Sequence, residues 1–105
     1  AYSARDSYAV SQGHTLVIPR RHVASFFELT PQEIGACMEL ITEERSLLDA
    51  EFNPDGYNIG VNIGPAAGQS IMHVHIHLIP RYQGDVENPQ GGVRHVIPQK
   101  GHYTR

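Results

Sequence analysis

A single cysteine, Cys37, leaves this chain without an internal disulfide and without a Cys-rich zinc knuckle. No apolar run approaches the ~18–20 residues needed to span a membrane, so no membrane segment is expected. No signal-peptide pattern stands at the start, and the expected compartment is the cytoplasm. Basic residues are few and scattered, and net charge is −3 with histidines neutral. That balance lacks the electrostatic footprint of a protein that grips duplex or single-stranded nucleic acid. There is no internal repeat and no shift in composition that would mark a second unit. What remains is 105 residues, 40% hydrophobic and 18% charged. This suits one domain over 1–105 with a modest core, ending in a Gly/Pro-rich tail from about residue 83.

Against that plain background one stretch stands out. In His73-Val-His75-Ile-His77-Leu-Ile-Pro80, histidine alternates with a branched apolar residue. A strand sends alternate side chains to opposite faces, so His73, His75 and His77 share one face and Val74, Ile76 and Leu78 the other. Pro80 cannot donate to a ladder and is expected to end the strand. Three readings are open. The row is a solvated strand face, a metal site, or a catalytic cluster. Along a straight strand His73 and His77 lie about 13 Å apart, so one zinc ion reaches a neighbouring pair but not all three rings without a bend. Catalysis uses the neutral imidazole as a nucleophile, with a neighbouring ring binding charge or moving a proton, which suits phosphorus chemistry.

The residues upstream bear on the choice. Gly64-Pro65-Ala66-Ala67-Gly68-Gln69-Ser70 is a loop of small residues feeding the histidine strand. Such a turn can aim several backbone N–H groups at one anion, and Ser70 adds a hydroxyl. Before it, Tyr57, Ile59, Val61 and Ile63 alternate with Asn58, Gly60 and Asn62. Paired as a hairpin with the histidine strand, this places Asn62 on the imidazole face.

Elsewhere, Ser7–Val10 reads as a weak strand and His14–Pro19 as a better one, joined through Ser11-Gln12-Gly13. Arg20 and Arg21 read as a solvated edge, with a phosphate contact as the sharper alternative. A short helical turn over His22–Leu29 should tuck Phe26 or Phe27 into the core. Thr30-Pro31-Gln32-Glu33 carries a capping box and proline at the first helical position, a strong helix start. Ile34, Cys37, Met38, Ile41, Leu48 and Phe52 then follow helical spacing, until Asn53-Pro54-Asp55-Gly56 stops the helix. In the tail, Val93–Pro98 could form one short strand, and His95 and His102 read as structural or solvated.

The run from Asn62 to Arg81, with its Gly68-Gln69-Ser70 and its His-apolar-His-apolar-His core, resembles the signature of the histidine triad (HIT) superfamily. Gly13-His-Thr-Leu-Val-Ile-Pro19 is similar to a further segment of that family. The resemblance implies an α+β fold: a five-stranded antiparallel sheet with one long and one short helix, extended across a homodimer joined at the strand and long-helix edge. It implies a nucleotide hydrolase or nucleotidyl transferase acting at the α-phosphate. The substrate would carry an AMP-like moiety, as a dinucleoside polyphosphate or a nucleoside phosphoramidate. The alternative is a nucleotide-binding sensor without turnover.

By the same resemblance His75 is the nucleophile, His77 donates to phosphate oxygens, and Ser70 bonds the leaving-group atom. His73 and His14 would fix the tautomer of His75, and crowding makes simultaneous protonation of the cluster unfavourable. Asp6 would hold the ribose hydroxyls. Asn62, Gly68, Gln69 and Ser70 would contact the nucleotide with His77. No cofactor is implied. Relatives that hold structural zinc use an N-terminal Cys-x-x-Cys, which is absent here, so no metal is expected.

Overall fold

A computed structural model describes residues 1–103. Four strands form one antiparallel sheet: β1 (Tyr2–Arg5), β2 (Thr15–Ile18), β3 (Gly56–Val61) and β4 (Ile76–Arg81), in the order β1-β2-β4-β3. One long helix, α1 (Pro31–Phe52), crosses one face, and the short helix is a single 3-10 turn at Phe26–Glu28. The α+β class holds, but the sheet has four strands among the described residues rather than five.

Two expected strands are replaced for identifiable reasons. Over Ser7–Val10 the chain turns, because the Asp6 carboxylate accepts from the Tyr8 N–H at 2.8 Å and bends the backbone; the strand lies upstream at Tyr2–Arg5. Val93–Pro98 is not extended either. It falls within 3-10 turns at Gly92–Val96 and Pro98–Lys100. Gly91 and Gly92 enter the first turn with positive φ, and bonds such as Arg94 N–H to Gly91 O satisfy the backbone locally.

The helix begins as its sequence demands. Thr30 Oγ accepts from the Glu33 N–H and the Glu33 carboxylate accepts from the Thr30 N–H. Asn53 closes it in the left-handed conformation. Cys37, Ile41 and Leu48 face the sheet and pack on Val17, Ile76 and Leu78. Met38, expected in that stripe, is 52% exposed: one residue on from Cys37, it has rotated away from the sheet. A second small core joins Val23, Leu29 and Val74, with Phe26 rather than Phe27 packed against it. It anchors the approach to β4, where the Val74 N–H donates to Val23 O at 2.9 Å.

Pro80 does not end β4; it sits within the strand, opposite Tyr57 and buried. Its carbonyl accepts from Ser11 Oγ at 2.7 Å. A strand residue points N and C=O the same way, so the Pro80 nitrogen also faces the β2 side. Pairing with β2 has already stopped at Leu78, and no ladder bond is lost there. On the other side of β2, Gly13 takes φ +90° and passes so close to the helix that a Cβ would lie 2.9 Å from Leu48 Cδ2. That tight passage sets His14 into the interior.

Candidate functional site

The face of the sheet away from α1 carries His77 on β4, Leu16 and Ile18 on β2, and Gly60 on β3, which pairs with His77. His73 and His75 precede β4 in the stretch that Val74 anchors, which bends through His73. The burial pattern still alternates through this segment, so all three rings share the open face as expected. They line a pocket of about 390 Å³ together with Asp6, Asn62, Gly68 and Ser70. Its remaining walls include Tyr2, Tyr8, Leu16 and Ile18. Leu16 and Ile18 could have been found from the alternation of β2. Nothing local marked Tyr2 or Tyr8.

Hydrogen bonds to the backbone assign the proton on each ring. His75 Nδ1 lies 2.9 Å from the carbonyl of His73. A carbonyl only accepts, so Nδ1 carries the hydrogen and Nε2 holds the lone pair. His14 Nδ1 accepts from the Val10 N–H at 3.2 Å, which puts its proton on Nε2. That nitrogen donates to His77 Nδ1 at 2.9 Å and lies 3.5 Å from Asp6 Oδ2. His77 is then left with its own proton on Nε2. His73 Nε2 donates to Pro19 O at 2.8 Å, and the His22 ring stacks on it at 4.6 Å. His22 had no sequence signal. The expected tautomer contacts are thus redistributed. His75 is set by the backbone carbonyl of His73, not its ring, and His14 sets His77.

The loop also departs from expectation. Gly68 N–H closes onto Pro65 O at 2.9 Å, and Gln69 N–H onto Gly64 O at 3.1 Å. These two donors are spent inside the turn and do not point at an anion. The Gln69 side chain is buried and fully engaged: its oxygen accepts from the Gly64 N–H and its nitrogen donates to Ala24 O and Ile71 O. The Gln69 side chain therefore staples the loop. Gly68, at φ +94°, lines the pocket through its backbone only. Ser70 and Asn62, both exposed, bring further polar groups to this side.

Asp6, His14 and His77 bring three ligand-type atoms within 4.8 Å of one another. Their chemistry is that of a hydrogen-bond relay, because His14 presents a protonated nitrogen to both neighbours. A metal at that point would require the Nε2 proton to leave while Nδ1 still accepts from Val10. Arg21, an alternative phosphate contact, is held by Glu33 at 2.8 Å, and Arg20 lies over the Tyr2 ring.

Burial lowers the pKa of His14, although Asp6 partly opposes it. Burial also lowers that of His77, aided by the neighbouring His14 and His75. Both rings are neutral at pH 7, as the relay requires. A histidine whose pKa is depressed in the folded state binds its proton more readily when unfolded. Stability is then complete above the ordinary value of 6.5 and falls as pH drops through the folded values. Thermal midpoints measured between about pH 7.5 and 5.5 should decline on the acid side. A flat profile would show that the two rings titrate alike in both states.

Known proteins similar to this chain point to one family. The HIT domain profile matches residues 1–84. A Mycobacterium tuberculosis protein named AP-4-A phosphorylase is 34% identical over 107 residues, covering 99% of this chain and 54% of that protein. A Schizosaccharomyces pombe bis(5′-nucleosyl)-tetraphosphatase is 38% identical over 73 residues, 70% of this chain and 40% of its own length. The chain thus spans about half the length of these relatives or less. A HIT family protein from Bacillus anthracis superposes with a TM-score of 0.75 at 34% identity, covering 98% of this chain and 63% of that one. The histidine row with its domain profile makes this chain a member of the histidine triad (HIT) family.

Proposed function

We propose that the site transfers a nucleotidyl group to His75 and then to water, releasing a mononucleotide from a nucleotide conjugate. One observation carries this reading. His75 spends its Nδ1 proton on a backbone carbonyl, which leaves the Nε2 lone pair to a pocket shared with His77, Ser70 and Asn62. Nε2 attacks the α-phosphorus, and the bond from phosphorus to the leaving nitrogen or oxygen breaks. The leaving atom departs with the bond electrons and takes a proton delivered from solvent through the Ser70 hydroxyl. Water then attacks the phosphorus, the bond to His75 breaks, and the mononucleotide and a proton are released.

The assigned tautomers support the division of labour. His77 offers its Nε2 proton to a phosphate oxygen because His14 occupies its Nδ1. Asp6 keeps Oδ1 on the Tyr8 N–H and Oδ2 near His14, so a ribose would share this carboxylate. The relatives named AP-4-A phosphorylase and bis(5′-nucleosyl)-tetraphosphatase are consistent with nucleotide conjugates as substrates. Incubation with a conjugate labelled at the α-phosphate should leave acid-labile label on the protein. Nucleotide binding with neither label nor product would identify a sensor instead.

We further infer that the working form is a homodimer joined along β3. This strand is an edge of the sheet, and Ile59 on it and Met38 on α1 are about half exposed. Sedimentation at micromolar concentration should give twice the chain mass, and Ile59→Lys a single chain. A single-chain mass for the unaltered protein would sink this inference.

A further inference from the structure

The tail beyond residue 84 lies outside the stretch matched by the family profile, yet it folds back onto the site face of the sheet. Its first turn, Gly92–Val96, walls a groove of about 420 Å³ that also contains Gly60 and Ile79. The groove shares His77 and Asn62 with the histidine pocket, so the two recesses meet where a phosphorus would sit. The turn is braced from within the tail. His95 donates to Gln90 O at 2.8 Å, and Arg94 donates to Gly101 O and Lys100 O. Val93 and Val96, apolar and solvent-exposed, line this groove.

We infer that this groove between the tail turn and β3 is the leaving-group subsite, and that it takes an apolar moiety without phosphate. The inference rests on the proposed function and narrows it. A phosphoryl group under attack carries two large substituents. The recess lined by Tyr2, Asp6, Leu16 and Ile18 suits the nucleoside, which leaves the tail groove for the departing group. No lysine or arginine among the described residues lines that groove. The nearest guanidinium along β4, Arg81, is held by both oxygens of Asp85 at 2.8 and 2.9 Å and also donates to Asn58. A chain of further phosphates would find no free cation there, whereas valine and isoleucine walls reward an apolar body.

Gly60 offers a clean way to close the groove. It lies on β3 opposite His77, its φ is outside the left-handed range, and a Cβ there would meet nothing within 4 Å. Binding is measured by calorimetry with AMP, diadenosine tetraphosphate, and two unreactive adenosine 5′-sulfamates, one N-methyl and one N-benzyl. The benzyl compound should bind about tenfold tighter than the methyl compound. Diadenosine tetraphosphate should gain nothing over AMP. In Gly60→Leu and in Val96→Asp the benzyl advantage should fall to about twofold or less, with AMP affinity unchanged in Val96→Asp.

Equal binding of the two sulfamates to the unaltered protein, or a gain for the tetraphosphate, overturns the inference and leaves the nucleotidyl-transfer reading standing. Loss of AMP binding in Val96→Asp, or a change in its sedimentation mass, makes the wall a structural or subunit contact and also overturns it. Failure of the unaltered protein to bind AMP removes both readings together. A benzyl preference in a protein that forms no labelled intermediate removes only the transfer chemistry.

Discussion

Replacing His75 with alanine is expected to lower nucleotide release from a conjugate by about 10⁴-fold or more while the protein remains folded. The size of the loss follows from the covalent route. In the proposed covalent route this imidazole holds the nucleotide between the two displacements, and alanine supplies no such group. Folding should survive because His75 is only half-buried, and its hydrogen bond runs to the carbonyl of His73, two residues away. The variant should also take up no acid-labile label from an α-phosphate-labelled conjugate, and should still bind AMP. Undiminished release would remove His75 from the role of nucleophile. His14→Ala makes a useful contrast. It strikes His77 through the relay rather than the attacking ring, so labelling of His75 should be slowed but not abolished.

The largest effect on stability is expected from Leu48→Ala. Leu48 is completely buried, packs with Val17, Ile41 and Leu78, and lies against the tight passage at Gly13. Truncating a fully buried leucine costs about 2–5 kcal/mol, because the surrounding atoms close only part of the void. Domains of this size hold about 5–15 kcal/mol in total. The thermal midpoint should therefore fall by roughly 10 °C or more. Its neighbour Leu47 is 60% exposed, so Leu47→Ala serves as the control and should change stability by less than about 0.5 kcal/mol. Equal losses in the two variants would mean that the helix does not face the sheet as described. Because Gly13 leads directly into His14, Leu48→Ala should also loosen the His14–His77 contact and lower activity beyond the loss of folded protein.

Several features of the fold were plain from local patterns. The capping box at Thr30 and Glu33 needs only residues three apart, and it forms as read. The common face of the three histidines needs only the two-residue period of an extended chain, and it persists although His73 and His75 lie outside the hydrogen-bonded strand. The errors came where a local signal competed with a partner elsewhere. Pro80 looked like a strand end, but its nitrogen faces the side where β2 has already stopped. Val93–Pro98 looked extended, but two glycines with positive φ curl it into 3-10 turns. Carbonyls of Ala24 and Ile71 claim the Gln69 amide, a partnership that no local pattern signalled.

The order of residues by itself determined the kind of chemistry on offer: imidazoles in a row and a small-residue bend before them. Side-chain direction in an extended segment depends on nothing farther away than the next peptide. The tertiary structure alone decided which nitrogen of His14, His73 and His77 holds a proton, whereas His75 takes its tautomer from a carbonyl two residues away. His14 meets His77 across 63 residues of chain, and Pro19 O receives the His73 proton across 54. It also decided that the tail returns to wall the groove beside His77. A hydrogen bond to a backbone atom depends on where distant segments come to rest, and that is settled by packing of the whole core.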